Sequence, residues 1–176
     1  RCCGETVTLL RQIAEKDLTF SETISLSLGR EGAAELLYCR ACGTVTETKI
    51  IGNKLIFKGV FLVPVLYRTT GGQLASAASE LPFSQIMEID IIGEGARVNM
   101  EVQITGTDIQ IDGADDEGRQ LAVTIYYHAM ALLRETREVT LLTDLYSTAY
   151  EMCYEPSQLT LCSLYDTMTR RQTVRE

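Results

Sequence analysis

Cysteines are the residues of this sequence with the clearest potential for chemistry. Cys39 and Cys42 have the spacing of zinc ligands or of a redox pair. No second pair of this kind follows, and His128 is the one histidine, so a four-ligand zinc site would need thiols from distant parts of the chain. Side chains three residues apart in a strand also point to opposite faces. We therefore predict reduced thiols at Cys39 and Cys42, with no metal and no cofactor.

Cys2 and Cys3 lie beside each other near the start of the sequence. Disulfide frameworks belong to small secreted domains, whereas a chain of 176 residues can bury a core without them. Chain ends are also where accessibility concentrates. We predict that Cys2 and Cys3 are available for crosslinks between molecules.

His128 stands in the strand-like residues 125–130. A general base needs a nucleophile and an orienting partner, and the sequence offers no nucleophile elbow, phosphate loop or dinucleotide fingerprint around it. We expect a packed, hydrogen-bonded histidine, and we predict that the protein is not an enzyme.

A group of carboxylates raises the question of calcium. An EF-hand loop that starts at Asp108 would have Gln110 at its third position and Arg119 at its twelfth, where a bidentate glutamate is required. The pattern indicates a solvated hairpin tip instead. A carbohydrate- or calcium-binding β-domain is kept as the alternative function. The carboxylates are those of Asp108, Asp112, Asp115, Asp116 and Glu117.

Charge and hydropathy exclude two classes of partner. The formal net charge is -8, which argues against a nucleic-acid groove. The longest apolar run, residues 55–67, contains Lys58 and Pro64 and is shorter than the roughly 20 residues that span a bilayer. The sequence shows no targeting signal, and we expect Arg1 to be a processed or trimmed end.

Alternation of apolar and polar residues dominates the chain, as in residues 98–105 and 24–28. Glycine-rich turns separate the alternating segments. The pattern predicts an all-β fold, an antiparallel β-sandwich or partly closed barrel, with at most one short helix near the N-terminus at residues 7–17. Residues 54–68 align without a gap with residues 120–134, which predicts two related β half-units with these segments in equivalent positions.

One ordered set of segments resembles a known family. The set comprises the extended segment 54–68 that ends V-L-Y-R, the segment L-P-F-S-Q-I-M-E-I at 81–89 with a proline at a strand entry, and the late segment 131–146 with R-E-T-R-E-V. This order resembles the SPOCS domain family of spore-coat morphogenetic proteins of the SipL and SpoVID type. The resemblance implies a non-catalytic scaffold of the spore coat or spore envelope, made in the mother-cell cytoplasm. Its partners would be other copies or tandem modules and other morphogenetic proteins.

The ends of the sequence resemble each other, since Thr6-Val-Thr-Leu-Leu10 is similar to Leu159-Thr-Leu-Cys162. We therefore predict a linking segment that ends a preceding module at residues 1–22, a SPOCS-like β domain at 23–147, and an extended C-terminal linking segment at 148–176. That last segment either associates with a neighbouring module or completes the sheet of its own domain. Its predicted assembly contacts are Tyr150, Tyr154, Leu159 and Leu161.

Overall fold

The computed structural model describes residues 2–27, 29, 31–90, 95–112 and 117–151, together with 153, 155, 157, 158 and 160. These residues contain seven strands and no helix, which confirms the all-β prediction. The strands are β1 (Cys2–Ser25), β2 (Ala33–Cys39), β3 (Cys42–Ile51), β4 (Lys54–Thr69), β5 (Leu74–Glu88), β6 (Arg97–Ile111) and β7 (Gln120–Leu142).

The strands form two antiparallel sheets that pack as a sandwich. In the β7 sheet the order is β1-β7-β6. In the β4 sheet, β4 lies between β5 on one side and β2 followed by β3 on the other. Four aromatic rings join the two sheets: Phe61 stacks on Phe83 with centroids 4.3 Å apart and also contacts Phe20 and Tyr127 at 5.3 and 5.0 Å. The core therefore lies between the two central strands.

The gap-free alignment of residues 54–68 with 120–134 is reflected in the topology. These residues form β4 and most of β7, each the central strand of its sheet and each joined by a hairpin to the strand before it. Their buried positions also match, so that Leu55 corresponds to Leu121 and Phe61 to Tyr127, all of them almost completely buried. The predicted equivalence of the two segments is confirmed.

The β4 sheet contains two prolines, each at a place where the missing backbone N–H leaves no hydrogen bond unmade. Pro64 lies in the central strand, where a missing amide N–H would interrupt a ladder. It faces the gap between β2 and β3, and its carbonyl oxygen accepts a hydrogen bond from the Arg40 amide at 3.4 Å. Pro82 was expected at a strand entry, but it lies inside β5 opposite Val60. An edge strand such as β5 tolerates it because one side of the strand has no partner.

The candidate helix at residues 7–17 does not form, because these residues belong to β1. They pair with β7, and the register shifts between Leu10 and Gln12, so that Arg11 is the extra residue of a β-bulge. The bulge changes the phase of alternation, which places buried Val7 and buried Ala14 seven residues apart. That spacing equals about two helical turns and produced the helix-like pattern.

Candidate functional site

Strands β1 and β7 continue beyond β6 as a two-stranded arm. Strand β6 begins at Arg97, opposite Arg134 of β7. The arm comprises residues 2–9 and 135–142, which pair in continuous register from Cys2 with Leu142 to Leu9 with Glu135. None of the described strands pairs with either outer edge of the arm. Both outer edges of the arm are thus unpaired as far as the described strands are concerned, and an unpaired edge is the kind of surface on which a further strand can add.

A buried carboxylate fixes the base of the arm. The side chain of Glu135 is 8% exposed, and its two oxygens lie 3.2 Å from Nε of Arg11 and 3.0 Å from Nε of Arg137. The bulge in β1 explains this contact, because it takes Arg11 out of the ladder and redirects its side chain. A buried carboxylate is costly without such partners. Arg11 thus links β1 to β7 where the sandwich ends and the arm begins, and Arg137 pairs with the same carboxylate within β7.

The two faces of the arm differ in chemistry because successive strand residues alternate between faces. Cys3, Glu5, Val7 and Leu9 share one face, where Cys3 pairs with Leu141 and Glu5 with Val139. The other face carries Thr6 and Thr8 among others, and Oγ1 of Thr8 lies 3.4 Å from Oγ1 of Thr136. One face of the arm thus carries most of its apolar side chains, together with the charged Glu5, Glu135 and Arg137, and the other face is rich in hydroxyl groups. Each face carries several side chains along the length of the arm.

Cys2 and Cys3 are exposed and lie at the tip of the arm, opposite Leu142 and Leu141. Because the two cysteines are adjacent in a strand, their side chains project from opposite faces. The Cys3 thiol donates a hydrogen bond to Oε1 of Glu5 at 3.4 Å. That bond, followed by the negative charge of Glu5, raises the pKa of Cys3 above its ordinary value. Since the thiolate is the reactive form, Glu5 slows the reactions of Cys3 near neutral pH.

Cys39 and Cys42 end β2 and begin β3, on either side of the gap between these strands. Cys42 is exposed, whereas Cys39 is partly buried, and burial raises its pKa. The described cysteines all carry free thiols, and the described part of the chain contains no group of three or more residues suited to hold a metal ion. Cys162 lies outside the described residues.

His128 forms a cross-strand pair on the outer surface of the β7 sheet. Its Nδ1 lies 2.8 Å from Oδ1 of Asp17, which is its register partner on β1. The hydrogen bond that was expected for this histidine is present, and its partner is a carboxylate of the neighbouring strand. The pair links the edge strand β1 to the centre of the sheet.

The acidic residues around the turn between β6 and β7 are described in part. Asp108 accepts a hydrogen bond from the side-chain amide of Gln110 at 3.1 Å, and Glu117 forms an ion pair with Arg119 at 3.1 Å. Asp115 and Asp116 lie outside the described residues, so the calcium alternative is untested.

A shallow cavity of about 400 Å³ opens between β1 and the end of β5. Within it, Nζ of Lys16 donates a hydrogen bond to the Ile86 carbonyl at 3.2 Å. Its lining combines two carboxylates, two amines and two apolar side chains, which makes a polar crevice and not an enclosed ligand pocket. The lining residues are Glu15, Lys16, Lys54, Ile86, Met87 and Glu88.

The predicted contacts in the C-terminal segment follow the end of β7 at Leu142. Tyr150 is 81% exposed, and its amide and that of Ala149 donate hydrogen bonds to Oγ of Ser147. This places Tyr150 in a local turn with its ring in solvent. Tyr154, Leu159 and Leu161 lie outside the described residues, so their predicted role is untested.

Comparison with known families supports the sequence resemblance. Residues 33–112, which are 80 of the 176 residues, match the family model described as SipL, SPOCS domain. The match confirms the resemblance to the SPOCS family and points to a spore-coat-related role. It spans β2 to the end of β6 and leaves β1 and β7 outside. No curated protein and no solved structure matches the chain. Among the described residues, no helix has the length and apolar character needed to cross a membrane.

Proposed function

We propose, from the SPOCS match over residues 33–112, that this chain is a non-catalytic assembly module of the spore coat or spore envelope. Its partners would be other copies, tandem modules and other morphogenetic proteins of the coat. The family match supports the role in the spore coat. The arm supports association by β-strand pairing, because none of the described strands pairs with its two outer edges.

Exposed apolar side chains near the arm favour association over solvation. Leu9 and Leu10 of β1 are 43% and 53% exposed, and Leu142 at the tip is 63% exposed. An added strand would pair with the backbone groups of one edge and partly cover the apolar side chains that flank that edge. An isolated two-stranded ribbon is only marginally stable in water, so a partner strand would also stabilise the arm itself.

The cysteines at the tip would make such an association covalent. Cys2 and Cys3 are exposed at the point of the arm farthest from the sandwich. A partner strand that extends along the arm brings its own tip or flank within reach of these thiols. We propose crosslinking between copies at Cys2 and Cys3, and contacts at the exposed ring of Tyr150, which comes after the end of the arm at Leu142.

The test compares the size of the associated protein for three chains by light scattering after size exclusion. The Val139→Lys, Leu141→Lys double variant adds two charges to the face of the arm that carries most of its apolar side chains. The Thr44→Lys, Thr48→Lys control adds the same charge at exposed positions of β3. We expect the parent and the control to associate and the arm variant to remain monomeric, with unchanged circular dichroism.

A second variant removes residues 1–8 and leaves β1 paired with β7 from Leu9 to Ser25. We expect it to remain monomeric as well. Association of both arm variants to the same size as the parent would show that the arm is not the connector. A parent chain that stays monomeric at all concentrations would contradict the proposed function itself.

A further inference from the structure

In each sheet the central strand has neighbours on both sides. The two half-units differ in which part of the chain provides the second of these neighbours. In the β4 sheet, β5 follows β4 directly through the short turn at residues 70–73. In the β7 sheet, the corresponding place beside β7 is filled by β1, which comes from the opposite end of the chain. β7 therefore accepts β1 as a pairing partner, although no hairpin connects these two strands.

Most contacts of β1 are with β7, and a few reach the other sheet, where Phe20 packs on Phe61 and Lys16 donates a hydrogen bond to the Ile86 carbonyl. β1 pairs with β7 along its whole length, yet only Val7, Ala14 and Ile24 of its 24 residues are buried. Its polar side chains also contact β7. Oγ of Ser21 lies 3.2 Å from Oγ1 of Thr124, Asp17 pairs with His128, and Arg11 pairs with Glu135. Every copy of the chain presents the same partners on β7, so β1 would find an equivalent place on another copy.

The segment between β1 and β2 has the properties of a hinge. Its two ends are fixed, since the Leu26 amide donates to the Arg119 carbonyl at 2.8 Å and the Ala33 amide donates to the Gly118 carbonyl at 2.7 Å. Glu31 and Gly32 are also held, since Oε2 of Glu31 accepts a hydrogen bond from the Gly71 amide at 3.2 Å and the Gly32 carbonyl accepts one from the Thr70 amide at 3.0 Å. Of the residues between these held positions, Ser27 and Gly29 are described and exposed. The four residues 27–30 can extend to about 13 Å. That length allows β1 to leave its own β7 while the rest of the domain keeps its fold.

We propose that β1 of one copy pairs with β7 of a second copy in the register seen within the chain, so that modules assemble by strand exchange. This inference rests on the proposed function and names its partner as a second copy of this chain. Exchange of an identical element reuses all native contacts and costs little beyond the rearrangement of the hinge. The arm then forms between two molecules, and each molecule donates one strand and accepts another.

The test places one cysteine on each strand of the pair. Ser21 and Thr124 are register partners whose hydroxyl oxygens are 3.2 Å apart, which is close enough for a disulfide once both are cysteine. In a background with all six native cysteines changed to serine, Ser21→Cys protein is mixed with Thr124→Cys protein at the concentration of assembly and oxidised. We expect a disulfide-linked heterodimer in which mass spectrometry finds positions 21 and 124 joined.

Two controls define the result. The control mixture replaces Thr124→Cys by Thr48→Cys, an exposed position on β3 in the other sheet, and should give no such heterodimer. The double variant Ser21→Cys, Thr124→Cys, oxidised at high dilution, should close within one chain and verify that both positions tolerate cysteine. Association without any link between positions 21 and 124 would overturn strand exchange and leave assembly through the arm intact. Absence of association in the parent chain would overturn both.

Discussion

Arg11 stands outside the register of β1 and β7 and brings its Nε to 3.2 Å from the buried carboxylate of Glu135. The bulge is thus tied to an ion pair at the base of the arm. Arg137 binds the same carboxylate from the other side at 3.0 Å. The stability of the arm should therefore depend on one carboxylate.

Glu135→Gln should lower the free energy of unfolding by about 2 kcal/mol. The change leaves two guanidinium groups without a charged partner around a buried side chain, while their half exposure to water keeps the loss below that of a fully buried pair. Urea denaturation measures the effect. Glu47→Gln is the matched control, because Glu47 contacts Lys58 at 3.2 Å with both side chains more than half exposed. We expect the control to lose about 0.5 kcal/mol or less, and equal losses would refute the role of burial.

Glu5→Gln should accelerate the alkylation of Cys3. The hydrogen bond and the charge of Glu5 raise the pKa of Cys3, so their removal lowers that pKa and increases the thiolate fraction at any pH below it. The rate of reaction with iodoacetamide against pH, in a chain with Cys3 as its single cysteine, should shift to lower pH. Glu22→Gln changes an exposed carboxylate of the same strand far from the tip and should leave the profile unchanged. An unshifted profile for Glu5→Gln would show that Glu5 does not control Cys3.

Gly118→Ala should destabilise the domain more than Gly72→Ala. Both glycines have a positive φ, of 64° and 85°, which any side chain adopts with strain. A Cβ at Gly72 meets open space, whereas a Cβ at Gly118 would clash with the Ala33 carbonyl oxygen. We expect Gly72→Ala to lower the free energy of unfolding by about 1 kcal/mol and Gly118→Ala to lower it by clearly more. The decrease in melting temperature compares the two variants. Similar shifts would mean that the approach of Ala33 is easily relieved.

Phe61→Ala should cost about 3–5 kcal/mol, because it removes the ring that joins Phe83, Phe20 and Tyr127 across the two sheets and leaves a cavity. Tyr38→Ala removes an aromatic ring that is 54% exposed on β2 and should change stability by less than about 1 kcal/mol. Thermal and urea denaturation of the two variants provide the comparison. A small loss for Phe61→Ala would place the centre of the core elsewhere.

The central strands could be predicted because each is rich in β-branched, aromatic and other apolar residues and follows a polar turn. Residues 54–68 and 120–134 could thus be placed in equivalent positions before any partner was known. Strand β1 was missed as a strand because the bulge at Arg11 breaks its alternation, and because its partner β7 is more than 100 residues away in much of the register. The arm depends on that distant pairing, so local patterns could not reveal it. The ion pair between Arg11 and Glu135 depends on the bulge and could not be predicted from the sequence either.

Cys2 and Cys3 lie on opposite faces of one strand, so the crosslinks proposed for them would leave the molecule in two different directions. A monomer with one reactive group can only form closed pairs, whereas a monomer with two groups that face apart can react on both sides and grow into a line. Two adjacent thiols on a flexible chain would be free to react on the same side, but in a strand they cannot. The alternation of a β-strand, a property of two neighbouring residues, would thereby decide whether oxidation caps an assembly or extends it.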